Sequence, residues 1–287
     1  MSGPTAPHDR VRPFTRVLAV VILPFLAAAV ALLYLLPDST DATFAWTIQP
    51  PFTAMFLGSA YVGGIVFFAH ALRTERWHRV KYGFPAVLVF AALLAVATFL
   101  HFDRFHFGHI SFITWVTLYL TTPVLVLVAM LLNWRADPGT LDAHDYAIRR
   151  GPRLAIAIVG IVASAFGLVL FIDPPALIEV WAWPLTPLTG RVVGAILTLP
   201  GVVNVWLLVD ERWSAFRWIF QAELVSLLAI AVAIAVRAGD IAWQRPAGPV
   251  FVAGIGLSLV AFGVFYVYCE RRSAAAGPAV VPSAVRE

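Results

Sequence analysis

The sequence predicts an all-α membrane protein: eight transmembrane helices forming two tandem, parallel four-helix repeats, with both termini cytoplasmic. Three observations carry that prediction. The chain is 61% hydrophobic and only 13% charged over 287 residues, with a mean hydropathy of +0.85. A soluble chain holds about 45–50% apolar and about 25% charged residues, so one core cannot hide this excess and most of it must face lipid. Eight segments reach roughly the 20 apolar residues that a spanning helix needs. Finally, Pro51, Thr53, Gly58, Leu72 and the trio Glu75-Arg76-Trp77 recur, each 136 residues later, as Pro187, Thr189, Gly194, Leu208 and Glu211-Arg212-Trp213.

Taken in order, residues 1–16 form a cytoplasmic N-terminal segment whose Arg10, Arg12 and Arg16 precede an apolar run, as in a signal peptide. That run continues too far for a signal core and ends without a persuasive cleavage site, so it reads as a retained first helix. The spans fall at about Val17–Leu36, Phe52–Leu72, Phe84–Leu100, Ile110–Leu132, Leu154–Ile172, Thr189–Val209, Trp218–Val236 and Val250–Cys269. They define a first repeat over 17–132, a cytoplasmic linker over 133–153 with an Asp137-Pro138-Gly139 turn, and a second repeat over 154–272. The Ala/Pro-rich tail, 273–287, is predicted to be disordered.

Orientation follows from the basic residues. Segments on the side of the N-terminus hold sixteen of the twenty, and the opposite loops hold only Arg104, Arg191, Arg237 and Arg245. The positive-inside rule then puts both ends in the cytoplasm of a bacterial plasma membrane. Each repeat has an even number of spans, so the two copies share one orientation.

Two places concentrate polar chemistry. The outer loop between spans three and four brings His101, Asp103, His106 and His109 into nine positions. Imidazole and carboxylate donors suit a divalent metal such as zinc. The loop also fits a pH-responsive or ligand-contacting role, or a wet interfacial segment in which Asp103 neutralises Arg104. Inside the bilayer, His70, Asn204, Glu223 and Ser226 are candidates for one polar cluster, because ionisable groups there are costly and mark pathways. The alternative is a structural hydrogen bond between Asn204 and Glu223. His70 and His101 lie at opposite ends of the core and cannot clamp one haem iron.

The repeated residues Pro51, Glu75, Arg76, Trp77, Pro187, Glu211, Arg212 and Trp213 read as structural. Proline suits the first turn of a helix, and each Glu-Arg-Trp trio reads as an interfacial anchor with its Glu and Arg paired. Small-residue pairs (Gly160 with Ser164, Gly190 with Gly194, Gly254 with Ser258) predict close helix packing within the bundle.

Other classes are excluded. The pI near 9.6 reflects arginines that punctuate apolar spans and form no stripe for nucleic acid. The one cysteine, Cys269, allows no intrachain disulfide. No nucleophile elbow, phosphate loop or dinucleotide fingerprint occurs, which favours a non-enzyme. The motifs Trp46-Thr-Ile-Gln-Pro-Pro51 and Leu100-His-Phe-Asp-Arg-Phe105 resemble segments of uncharacterised bacterial multi-pass membrane proteins, and that likeness implies no activity. The expected function is transport or permeation of a small solute or ion between the repeats. The alternatives are a membrane redox or metal-binding subunit using the outer loop, and a scaffold that binds a membrane-protein partner or a second copy.

Overall fold

The computed structural model describes residues 9–142 and 145–275, and among them the named secondary-structure elements are all helices. Eight helices are long and apolar enough to cross a membrane: α1 (Pro13–Leu35), α2 (Pro51–Arg73), α3 (Gly83–Leu100), α4 (Ile110–Asn133), α5 (Arg150–Ile172), α6 (Pro187–Leu208), α7 (Trp213–Val236) and α8 (Ala247–Ala275). Each coincides with one predicted span, α1 and α6 ending one residue before the predicted limits at Leu36 and Val209. Residues 273–275, assigned to the tail, continue α8, and the rest of that tail lies outside the described residues.

Local chemistry sets the helix starts. Pro13, Pro51 and Pro187 open α1, α2 and α6, where a missing amide costs nothing. Thr186 and Thr189 close a reciprocal capping box on α6. α1 ends in a π-helical turn, Ala31–Leu35. There a Cβ on Gly58 of α2 would come within 2.9 Å of the Tyr34 Cβ, so the glycine lets the two helices touch. The Tyr34 hydroxyl reaches on to donate to the Ala229 carbonyl of α7 at 2.7 Å.

The helices pack as neighbours in sequence, α1 on α2, α3 on α4, α5 on α6 and α7 on α8, while α2 meets α7 and α3 meets α6 across the middle. The α5–α6 seam is built on small residues. A Cβ on Gly194 would sit 2.5 Å from the Gly167 carbonyl oxygen, and one on Gly201 would sit 2.5 Å from that of Gly160. Gly160, Ser164 and Gly194 therefore serve packing inside the bundle, as predicted. Gly254 does not, because no atom lies within 4 Å of where its Cβ would be.

The residues before α1 and α5 meet the loops after α2 and α6 at one end of the bundle. Val11 N–H donates to the Glu75 carbonyl (2.9 Å), and Ile148 N–H to that of Glu211 (2.8 Å). This is the arginine-rich end. The opposite end gathers the α1–α2, α3–α4, α5–α6 and α7–α8 loops, with His106 N–H on the Ala45 carbonyl and Ala242 N–H on that of Ala182.

A candidate site in a cavity lined by all eight helices

Between the central helices lies a cavity of about 270 Å³, to which every long helix contributes. Its wall is aliphatic and aromatic apart from a few groups. Glu223 and Ser226 enter from α7, Tyr61 from α2, Tyr119 and Thr122 from α4, and Ser258 from α8. Close approach of α2 and α7 places the first two: a Cβ on Gly63 would meet the Ala222 carbonyl oxygen at 2.9 Å and the Ser226 Cβ at 3.0 Å. Ser226 is satisfied, since its hydroxyl donates to the Ser59 carbonyl at 2.9 Å.

Glu223 is not satisfied. Both carboxylate oxygens are buried without a hydrogen-bond partner. A buried polar group left unpaired costs about 1–3 kcal/mol, and more when charged. In the same lining the hydroxyls of Tyr61 and Tyr119 lie 2.5 Å apart, both side chains buried. Two phenols share one bond between them and hold two protons, so one proton remains for another acceptor.

The other predicted intramembrane residues lie elsewhere. Asn204 is fully buried, its Oδ1 and Nδ2 unpaired. It sits on the α5–α6 seam, where its Cβ would be 3.0 Å from a Cβ on Gly160. No hydrogen bond joins it to Glu223. His70 bonds Gln221 Oε1 at 3.0 Å, its ring lying 4.1 Å from that of Trp218. The four residues therefore do not form one cluster; Glu223 and Ser226 line the cavity, and His70 and Asn204 do not.

The outer loop does not converge either. His101 Nε2 is 2.8 Å from an Arg191 guanidinium nitrogen. Burial, then the Arg191 charge, lowers the His101 pKa. His106 lies between the Phe44 carbonyl (3.0 Å) and the Thr47 hydroxyl (3.2 Å), and His109 turns back to Ser111 Oγ at 2.6 Å, capping α4. Asp103 pairs with Arg104 at 3.2 Å, 75% exposed. Each imidazole already has a separate partner, and among the described residues no three His, Cys, Asp or Glu side chains come together as a metal-binding group. Spacing in the sequence placed these donors in one loop, but the backbone aims them apart.

The Glu-Arg-Trp trios also differ from expectation. Neither Glu pairs with the Arg beside it: Arg76 binds Asp142, and Glu211 binds Arg153 at 3.3 Å. Trp77 and Trp213 are buried, 4% and 1% exposed, and are core residues instead of headgroup anchors. Arg212 centres a cluster of buried charges. Its guanidinium takes both oxygens of Asp137 (2.8 and 2.6 Å) and both of Asp210 (3.0 and 2.6 Å). Lys81 binds Asp137 at 2.5 Å, and the Tyr82 hydroxyl donates to Asp210 at 2.7 Å. Tyr82 itself is stacked between Trp206 and Phe216. Burial works to raise the Asp210 carboxyl, but hydrogen bonds from Arg212 and Tyr82 outweigh it and hold the pKa at about 2.

The sequence reading missed the Tyr61–Tyr119 pair and this cluster. The tyrosines had a usable signal, since a phenol placed in mid-span needs a partner there. No protein-family model, curated protein or solved structure matches the chain. Eight apolar helices make it a polytopic membrane protein.

Proposed function

We propose that the protein is a carrier of the bacterial plasma membrane. Its substrate is a small, largely apolar molecule bearing one cationic or hydrogen-donating group. One observation carries the reading: the unpaired carboxylate of Glu223 lines a cavity to which all eight helices contribute. The apolar wall disfavours a hydrated ion, while a buried carboxylate favours a cation or proton. The Tyr61–Tyr119 pair adds a donor to the lining of the same cavity.

The tandem arrangement supports the same reading. Exchanging α1–α4 for α5–α8 leaves the principal helix pairs unchanged, as expected of parallel repeats that hold a pathway between them. The arginine excess at the end where residues 9–12 meet the α2–α3 loop supports cytoplasmic termini.

The test uses the purified protein in lipid vesicles, probed with tetraphenylphosphonium, a series of primary alkylamines and a trapped pH dye. The wild type is expected to accumulate at least one probe or to pass protons, and Glu223→Gln to lose roughly tenfold or more in apparent affinity, as for one charge-assisted contact. Wild-type vesicles inert to every probe, or a Glu223→Gln variant matching the wild type throughout, would overturn the proposal.

A further inference from the structure

A second group of side chains lies at the arginine-rich end, away from the cavity and independent of its reading. Asp9 precedes α1 and accepts twice from His78, on Oδ1 from the backbone N–H at 3.0 Å and on Oδ2 from ring Nδ1 at 2.5 Å. Ring Nε2 then lies 3.1 Å from the hydroxyl of Ser214, in the first turn of α7. His78 is only 2% exposed, whereas Ser214 is half-buried and opens onto a surface pocket of about 340 Å³. A carboxylate that fixes an imidazole through Nδ1, with the other nitrogen facing a hydroxyl, has the geometry that activates a serine.

Two carboxylates compete: Asp145 Oδ2 lies 2.5 Å from Ser214 Oγ and its Oδ1 accepts the Ser214 amide at 2.8 Å, and Asp142 Oδ2 lies 3.6 Å from His78 Nε2. Asp9 and Asp145 are 136 residues apart, as are His78 and Ser214. The carboxylate-to-amide clasp is thus the same in both places, but the clasped side chains differ. A clasp alone needs no particular side chain there, yet this chain carries a base at one position and a hydroxyl at the other. The hydroxyl proton can turn from Asp145 to His78 by rotation about Cβ–Oγ, with no heavy atom moving.

The pocket supplies what else the chemistry needs. Arg76, Arg79, Arg217, Asp142 and Asp145 line it with Ser214; Arg76 and Arg79 pair with Asp142 and Arg217 with Glu270, while the Nε–H groups of Arg79 and Arg217 are buried without acceptors. Two donors without acceptors, on residues that line the same pocket as the hydroxyl, suit a developing oxyanion.

We propose that Ser214 is the nucleophile of a serine hydrolase centre, with His78 as general base and Asp9 as its positioning residue. The substrate is a carboxylic ester of an amphiphile. Ser214 Oγ bonds to the ester carbonyl carbon as its proton passes to His78 Nε2. The bond from that carbon to the alkoxy oxygen then breaks, and the alcohol leaves with the proton. Water hydrolyses the acyl-serine, giving up one proton through His78, which is returned to Oγ. A carboxylic acid and an alcohol result, with no change of oxidation state.

The experiment treats the full chain in detergent or nanodiscs with an alkyl fluorophosphonate, and follows p-nitrophenyl ester hydrolysis in parallel. One covalent adduct is expected on Ser214 by peptide mass spectrometry, none on Ser214→Ala, and a roughly 10²–10⁴-fold slower reaction for His78→Gln, per folded molecule. Because the buried His78 site tolerates substitution poorly, Ser214→Cys serves as a second reporter. Its thiol, beside His78, is expected to react with iodoacetamide about tenfold faster at pH 7 than an unactivated thiol. Folded wild type that takes no label, label that persists in Ser214→Ala, or a Ser214→Cys thiol of ordinary reactivity would overturn the assignment.

Discussion

Asp210 and Glu223 are thirteen positions apart, both shielded from water, and opposite in their surroundings. Asp210 receives Arg212 through side chain and backbone, Tyr82 through its hydroxyl, and Lys81 at 3.4 Å. Glu223 receives nothing. Folding alone can account for the first, because a fully paired buried charge locks the loops that carry it. It does not account for the second, since an unpaired carboxylate opposes folding; the proposed carrier function gives Glu223 a use that its packing does not. The difference separates architecture from function without any relative to compare.

The largest effect that would break this contrast is removal of Arg212. In Arg212→Ala, Asp137 and Asp210 lose their shared cation while remaining buried. Loss of one partner from such a pair costs about 3–5 kcal/mol. The thermal midpoint in detergent is expected to fall steeply. Arg76→Ala is the control: that guanidinium is 52% exposed, and exposed pairs are worth about 0–1 kcal/mol. Equal losses in the two variants would show that burial does not set the value of these pairs.

Much of this architecture is legible in the sequence, and the reasons are physical. Span position follows from composition because lipid admits nothing else, so all eight helices lie where apolar runs predict them. The proline helix starts and the small-residue seam of α5 and α6 follow from backbone constraints that act locally. Pairing of charges is not local. Glu75 and Arg76 are adjacent yet bind different partners, because Asp142 arrives from the linker some sixty residues later. His101, His106 and His109 look like a donor set only until the loop's turns point each ring at a different neighbour. Glu223 was legible for the opposite reason. A carboxylate in a membrane span stands out wherever its partners are, and here it has none.

A smaller effect sharpens the same contrast through pH. The Asp210 carboxyl is held at about 2, below its ordinary 3.8. A group whose folded pKa is depressed contributes stability that is complete above the unfolded value and is lost as pH falls through the folded one. The loss therefore runs from about pH 4 down to about pH 2, and Asp210 accounts for roughly 2 kcal/mol of it. Asp137, lowered by Arg212 and Lys81 against its own burial, titrates in the same direction. Unfolding midpoints measured across that window should drop for the wild type and drop less for Asp210→Asn. Parallel curves would remove the carboxylate from the account.

The smallest effect has the opposite sign. Glu223→Leu replaces an unpaired buried carboxyl with an apolar side chain of similar size, in a wall that is already apolar. Leaving a buried polar group unmatched costs about 1–3 kcal/mol, so its removal should raise stability by about 1 kcal/mol after some loss to imperfect packing. The same substitution should abolish probe binding in the cavity. Stability gained together with function lost is the signature of a residue kept for use and not for the fold. A Glu223→Leu protein that melts lower than the wild type would instead mean that the carboxyl has a partner supporting the native state, and Glu223 would then belong with Asp210 as a structural charge.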